Sequence, residues 1–195
     1  LALHIDAAGT AWAGMNGAGV YSRAAGASQW TLRPGMPTQS NARFAIGGTG
    51  IAHVSGSAGV FALAPGATTW ERVSGTNGLP GQAGSGMTSD ALGAVYVGMN
   101  GTGAVYKRAA GSDAWTTVGT GLPAGSWVNN LVFDGAGNLW ASINGVGVFK
   151  LPAGGATWTA MNATLGNLDV GTLAVVGNDL FTGNSSHGVY KLANA

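Results

Sequence analysis

The chain has no cysteine. That excludes disulfides, thiolate zinc sites and a cysteine nucleophile. Charge is scarce as well: 8% of residues are charged, where an ordinary globular protein has about a quarter. The eight basic and seven acidic residues are scattered, with a net charge of +1 and no basic stripe, which argues against a nucleic-acid surface. No apolar stretch is long enough to cross a bilayer. Glu71 is the one glutamate, so the facing carboxylate pair of a glycosidase is hard to assemble. The three histidines, His4, His53 and His187, lack the fixed spacing of a metal site. These gaps predict a protein without catalytic residues, metal or cofactor.

Glycine is abundant, at 36 of 195 residues, and 46% of residues are hydrophobic. Val, Leu, Trp, Tyr and Phe are spread evenly, so enough apolar surface exists to offset the entropy of ordering. A phrase close to Gly-Val-aromatic recurs five times, ending at Tyr21, Phe61, Tyr106, Phe149 and Tyr190, with spacings of 40, 45, 43 and 41 residues. Nine residues after an aromatic stand Trp30, Trp70, Trp115 and Trp158. Nine residues before it stand Trp12, Trp140 and Phe181, with His53 and Tyr96 each one place off in the second and third repeats.

Each repeat resolves into four short apolar runs. In the fourth these are Val128 to Asp134, Leu139 to Asn144, Gly147 to Leu151 and Thr157 to Met161. Their period-2 alternation and their Val, Trp, Tyr and Phe content predict half-buried strands. Asn16-Gly17, Asn100-Gly101 and Asn144-Gly145 predict type I′ hairpin turns between second and third strands. Asp6, Asp90 and Asp134, each with a glycine three residues on, predict Asx turns after the first strands. Four antiparallel strands in about 43 residues is the size of a propeller blade. The expected fold is therefore all-β: one β-propeller domain over 1–195, with repeats at about 1–40, 41–85, 86–127, 128–169 and a partial 170–195 that lacks its fourth strand.

The segment "DGAGNLWASINGVGVFK" (134–150) resembles the repeats of bacterial two-component-regulator propellers. "GVFKLPAGGATWTAMN" (147–162) resembles the bacterial neuraminidase, or Asp-box, repeat of sialidase-like propellers. The acidic residue of that box is absent; its place falls near Ala153 in the fourth repeat and at Ala24 or Ala25 in the first. The resemblance implies a propeller and, for Trp30, Trp70, Trp115 and Trp158, packing between blades. The other reading of these tryptophans is a ring of sugar-stacking platforms.

Trp127 has no counterpart in the other repeats. It lies in the link from the third blade to the fourth, on the face that carries the second-to-third hairpins. It either caps the gap between two blades or shares an exposed rim with Asn129, Asn130, Asn16, Asn100, Asn144 and His187. An exposed indole beside carboxamides suits a neutral sugar, because the ring covers C–H bonds and the amides bind hydroxyls. A Ser185-His187 couple lacks a visible acid and oxyanion hole, and reads as a polar loop.

The expected function is a lectin-like binding module for neutral glycans at blade rims, with a structural or protein-interaction module of an extracellular assembly as the alternative. Low charge and richness in Ala, Gly, Thr and Ser predict a secreted or cell-surface bacterial protein. The chain opens at Leu1 directly into a strand run, which predicts a processed product or a fragment. Three outcomes are open for the short last blade: closure with three strands, a place in a larger ring, or self-association of two chains through the incomplete blade.

Overall fold

The computed structural model describes residues 2–37, 43–184 and 188–192. Among them there is no helix, and so none long and apolar enough to cross a membrane. The strands form five antiparallel sheets, each a simple meander. The first holds β1 (Ala2–Ile5), β2 (Ala11–Met15), β3 (Gly19–Arg23) and β4 (Thr31–Arg33). The second holds β5 (Arg43–Ile46), β6 (Ala52–Gly56), β7 (Gly59–Leu63) and β8 (Glu71–Arg72). The third holds β9 (Gly84–Ser89), β10 (Val95–Met99), β11 (Ala104–Arg108) and β12 (Trp115–Thr117). The fourth holds β13 (Val128–Phe133), β14 (Leu139–Ile143), β15 (Gly147–Leu151) and β16 (Thr159–Ala160). The fifth has three strands, β17 (Thr172–Val176), β18 (Asp179–Asn184) and β19 (Gly188–Leu192). These are the blades of a five-bladed β-propeller whose last blade has three strands.

The first strands of successive sheets, β1, β5, β9, β13 and β17, lie side by side in chain order around the centre. Each sheet is apolar on both faces, so each must be covered twice. One face, here called the back, packs on the preceding blade, and the other, the front, on the following one. Trp12 and Val20 on the front of blade one meet Phe44, Val54, Phe61 and Trp70 on the back of blade two. Ala45 and Val60 meet Met87, Val97 and Trp115 in the same way. Tyr96 and Val105 meet Leu131, Phe149 and Trp158, and Trp140 and Val148 meet Leu173, Leu180 and Leu192. The core is thus a series of four interfaces between five blades, with stacked aromatics such as the edge-to-face pair Trp12–Trp70, 6.0 Å between ring centroids.

Trp70, Trp115 and Trp158 are buried between blades, as the resemblance implies, and not arrayed as open platforms. Trp30 differs: it is 41% exposed, because among the described residues no apolar cluster covers the back of blade one.

The aspartate turns form as expected. Oδ1 of Asp6, Asp90 and Asp134 accepts backbone N–H bonds from the residues two and four ahead. Their Oδ2 atoms do a second job. They accept from Trp12 Nε1 (3.0 Å), Tyr96 Oη (2.9 Å) and Trp140 Nε1 (2.8 Å), which lets a polar-tipped aromatic be buried at that place.

The Asn-Gly turns are where expected but not of the expected type. Only the glycine has a positive φ (Gly17 76°, Gly145 67°), and the asparagine before it does not. Met15 and Ile143 each accept an N–H bond from three residues on. A positive φ confined to the third residue of such a turn marks type II, not type I′. A second glycine with positive φ, Gly19 or Gly147, then restores the strand pairing. In blade two the loop is Ser57-Ala58 alone, one residue shorter. That is why His53 looks misplaced in the sequence, although in the sheet it pairs with Ala45 as Trp12 pairs with His4.

Candidate functional site

Two cavities open along the axis of the arc. One, about 230 Å³, lies where the inner strands begin and is lined by Arg43, Ser85, Asn129 and Gly171, one residue from each of blades two to five. The other, about 650 Å³, lies where they end, among the first turns of blades one to three, lined by residues that include His4, Ile5, Asp6, Ile46, Asp90 and Leu92.

The larger cleft offers little chemistry. Its carboxylates, Asp6 and Asp90, are committed to their own turns and aromatics. At Asp6, burial alone would raise the pKa, but the bonds from Trp12 and the turn amides outweigh it and hold the carboxyl below its ordinary value. Asp134, on blade four, is lowered in the same way, with Trp140 and Asn138 as donors against burial. His4 is pushed down by burial, opposed by the nearby charge of Asp6.

The smaller mouth is built from donors and acceptors. Asn129 Nδ2 donates to Asn144 Oδ1 and to the Val170 carbonyl, both at 3.3 Å. Asn144 in turn donates its backbone N–H to the Trp127 carbonyl (3.0 Å). The turn after β14 and the link before β13 are therefore bonded together, which puts Trp127, Asn129 and Asn144 on one rim. The Trp127 indole is 53% exposed and belongs to none of the four interface clusters. The same design recurs one blade earlier. Ser85 donates to Asn100 Oδ1 in a short hydrogen bond, Asn100 N–H donates to the Ala83 carbonyl, and Gly101 and Gly103 donate to the Ser126 carbonyl.

The expected site residues thus separate. Trp127, Asn129 and Asn144 form one cluster, and Asn100 lies on the same rim, tied to Ser85. Asn130 turns toward the next blade, where its Nδ2 donates to Thr172 Oγ1 (3.3 Å), so it serves the joint between blades four and five. Asn16 is exposed on the corresponding turn of blade one. His187 and Ser185 lie outside the described residues. Arg43 and Ser85 are mouth residues that the sequence reading passed over. Ser85, Asn129 and Gly171 each stand two residues before a buried anchor of the first strand (Met87, Leu131, Leu173), so aligning first strands on those anchors would have found Ser85, but Arg43 stands only one residue before its anchor, Phe44.

Two features join neighbouring blades. Trp70, Trp115 and Trp158 each donate their backbone N–H to a carbonyl in the tail of the preceding blade: Pro34 (3.0 Å), Asn77 (2.8 Å) and Thr120 (2.8 Å). Beside each hook sits a glycine with positive φ (Gly35, Gly78, Gly121). Between blades two and three, Arg108 Nη1 donates to His53 Nε2 at 2.9 Å while its Nη2 pairs with Asp113 at 2.6 Å. Among the described residues no three His, Asp or Glu side chains come together in a way that would hold a metal ion. Glu71 is exposed.

No family model matches the chain, and no curated protein matches it in sequence. In three dimensions it superposes on solved propellers. Over 99% of its length it follows the extracellular domain of a hybrid two component system from B. thetaiotaomicron, at a TM-score of 0.78 and 18% identity, covering 26% of that chain. It follows YCF48, solved with a D1 peptide, over 99% of its length at a TM-score of 0.69 and 13% identity, covering 64% of that chain. It follows virginiamycin B lyase from Staphylococcus aureus over 98% of its length at a TM-score of 0.69 and 11% identity, covering 69% of that chain. The chain therefore spans about a quarter of the first protein and about two thirds of the others. At these identities the likeness is one of fold, and it includes the regulator-type propeller to which residues 134–150 pointed.

Proposed function

We propose that this chain is a non-enzymatic binding module of the bacterial cell exterior that takes a neutral glycan at the rim of its third and fourth blades. The observation that carries the reading is the Trp127 indole, half open to solvent, on a rim where Asn129 and Asn144 are hydrogen-bonded side by side at a polar mouth. A rigid exposed aromatic next to fixed carboxamides suits a ligand of C–H faces and hydroxyls. Trp127 has no counterpart in the other repeats and the repeated tryptophans of blades two to four are buried, so the reading is of one principal site rather than a ring of equal ones. The extracellular sensor domain among the structural likenesses supports an exterior location. The lyase among them shows that such a scaffold also hosts enzymes, so function is argued from the site. Here the carboxylates Asp6, Asp90 and Asp134 are engaged in turns.

A glycan array on the folded chain tests this. Saturable binding to a neutral sugar family is expected, reduced about tenfold or more in Trp127→Ala with melting temperature nearly unchanged. Trp115→Ala, as a contrast, costs roughly 3–5 kcal/mol of stability, as emptying a core aromatic site does. Loss of fold in Trp127→Ala, or a blank array from folded protein, ends the glycan reading. A blank array favours the second reading, a structural or protein-docking module, whose own support is the pair of apolar end faces described next.

A further inference from the structure

Ten large apolar side chains lie exposed among the described residues, and seven of them sit on two surfaces. The back of blade one carries Leu3, Ile5, Met15, Trp30 and Leu32, and the front of blade five carries Val176 and Val189. Scattered surface hydrophobics need no explanation, but clusters do. Here each cluster fills repeat positions that are buried elsewhere. Leu3 is 71% exposed, while Phe44, Met87, Leu131 and Leu173, at the same place in their sheets, are 8% exposed or less. Val189 is 76% exposed, while Val20, Val60, Val105 and Val148 are 1% or less. No apolar cluster joins blade five to blade one among the described residues, and β17 does not lie against β1 as the other first strands lie against each other. Among the described residues no strand pairs with the outer edge of β19, the third strand of blade five, where the other blades have a fourth strand.

We propose that these two faces are docking surfaces for further blades of this same repeat, and that a unit of two such blades, led by a strand pairing with β19, closes the ring. Chemistry selects the occupant. Each of the four internal interfaces joins a front to a back, and what remains uncovered is one front and one back. Only a unit that itself presents a back at one end and a front at the other satisfies both. Size selects the number. The propellers of which this chain covers 64% and 69% are roughly half again as long, and at about 42 residues per blade the difference is roughly two blades. The total of roughly seven lies within the usual four to eight. A second copy of the chain fits less well, because a ring shared by two copies would hold roughly ten blades, beyond that range.

The test extends the full chain after Ala195 with a copy of residues 152–169, which supplies a fourth strand, and then a copy of residues 84–169, which supplies two blades. The extended chain is expected to be monomeric, to lose most of the dye fluorescence that 8-anilinonaphthalene-1-sulfonate shows with the 195-residue chain, and to melt at least about 5 °C higher. Unchanged dye binding and melting in a folded extension overturn the proposal. Measurements on the 195-residue chain hold whether or not the extension folds. If its end faces are uncovered, Leu3→Lys and Val189→Lys each leave melting within about 2 °C, whereas Val148→Lys, at the buried counterpart, unfolds it. A drop of more than about 5 °C for either end-face variant in a monomer means the ends already meet, and the proposal falls. A mass that doubles with concentration and returns to monomer in Leu3→Lys makes a second copy the occupant, and the proposal falls in that case too.

Discussion

His53 shows how one residue is chosen by its neighbours rather than by its repeat. Trp12, Tyr96 and Trp140 fill the same sheet position, and each hands its polar tip to the aspartate six residues before it. In blade two that aspartate is replaced by Gly47, so a buried polar ring needs another partner. Arg108 of the next blade provides it. Arginine only donates, so His53 Nε2 must accept, and Nδ1–H donates to the Ile51 carbonyl at 3.2 Å. The imidazole is thereby held neutral. Burial, reinforced by the Arg108 charge and opposed by the Ile51 bond, pushes its pKa down to about 4. Arg108, itself paired with Asp113, is the charged group facing it from the adjacent blade. With the folded value below the unfolded value of 6.5, the unfolded chain binds more protons between them. Stability is therefore full above about pH 6.5 and falls as pH drops toward 4, by an amount on the order of 3 kcal/mol. Urea unfolding at pH 7, 5.5 and 4 should show this fall. In His53→Gln, which keeps an acceptor for Arg108, most of the slope in that window should vanish, leaving the smaller contribution of the lowered His4. An equally steep slope in His53→Gln would assign the effect elsewhere. Asp6 and Asp134 act lower on the scale, since their depressed pKa values withdraw stability only as pH falls through and below the ordinary carboxylate range.

At the scale of the element, the joint between blades depends on a backbone hook and the glycine beside it. A Cβ on Gly78 would lie 2.5 Å from the Trp115 carbonyl oxygen, and one on Gly121 3.0 Å from that of Trp158. Both glycines have φ near +90° to +101°. Gly78→Ala therefore meets a steric and a conformational obstacle together, and is expected to destabilise the chain by roughly 1–3 kcal/mol while leaving β9 to β11 intact. Gly111→Ala, with φ 75° but nothing within 4 Å of a Cβ, isolates the conformational part. Equal losses in the two variants would show that the close approach contributes nothing. These hooks were not legible in the sequence, because Gly35, Gly78 and Gly121 fall 14, 17 and 15 residues after the repeat aromatics and keep no fixed spacing. The strands were legible because alternation is local: β15 is Gly147–Leu151 in the sequence reading and in the sheet alike. The fourth strand was overextended, since only Thr159–Ala160 of Thr157 to Met161 pairs with β15. The Asn-Gly pairs located their turns, but the turn type depends on a φ angle that composition does not set. The rim behaves likewise. Trp127, Asn129 and Asn144 belong to one blade and its link, so strand parity and shared face bring them together on paper. Arg43 and Ser85 reach the same mouth from other blades, through the curvature of the whole arc.

At the scale of the molecule, stability in such a stack is a sum of blade terms and interface terms between neighbours. Among the described residues, blades two, three and four each have two covered faces and blades one and five have one. The inner sheets carry fully buried anchors such as Val54, Val97, Met99, Trp140 and Ile143, whereas β1 buries none of its residues and β17 only Leu173. Local opening should therefore cost least at the two ends and most in the middle. Native-state amide exchange on the 195-residue chain reads this directly. Amides of β9 to β15 should exchange slowest, with protection approaching that of global unfolding. Those of β1, β17 and β18 should exchange faster by at least about a factor of ten, which corresponds to about 1.4 kcal/mol less protection. The fall should be stepwise at blade boundaries, because each interface opens as a unit. Protection that is even from β1 through β18 would mean that the end faces are covered in solution and that the five blades cooperate as a closed ring. A chain protected in the middle and frayed at both ends is what an arc with one free front and one free back must give.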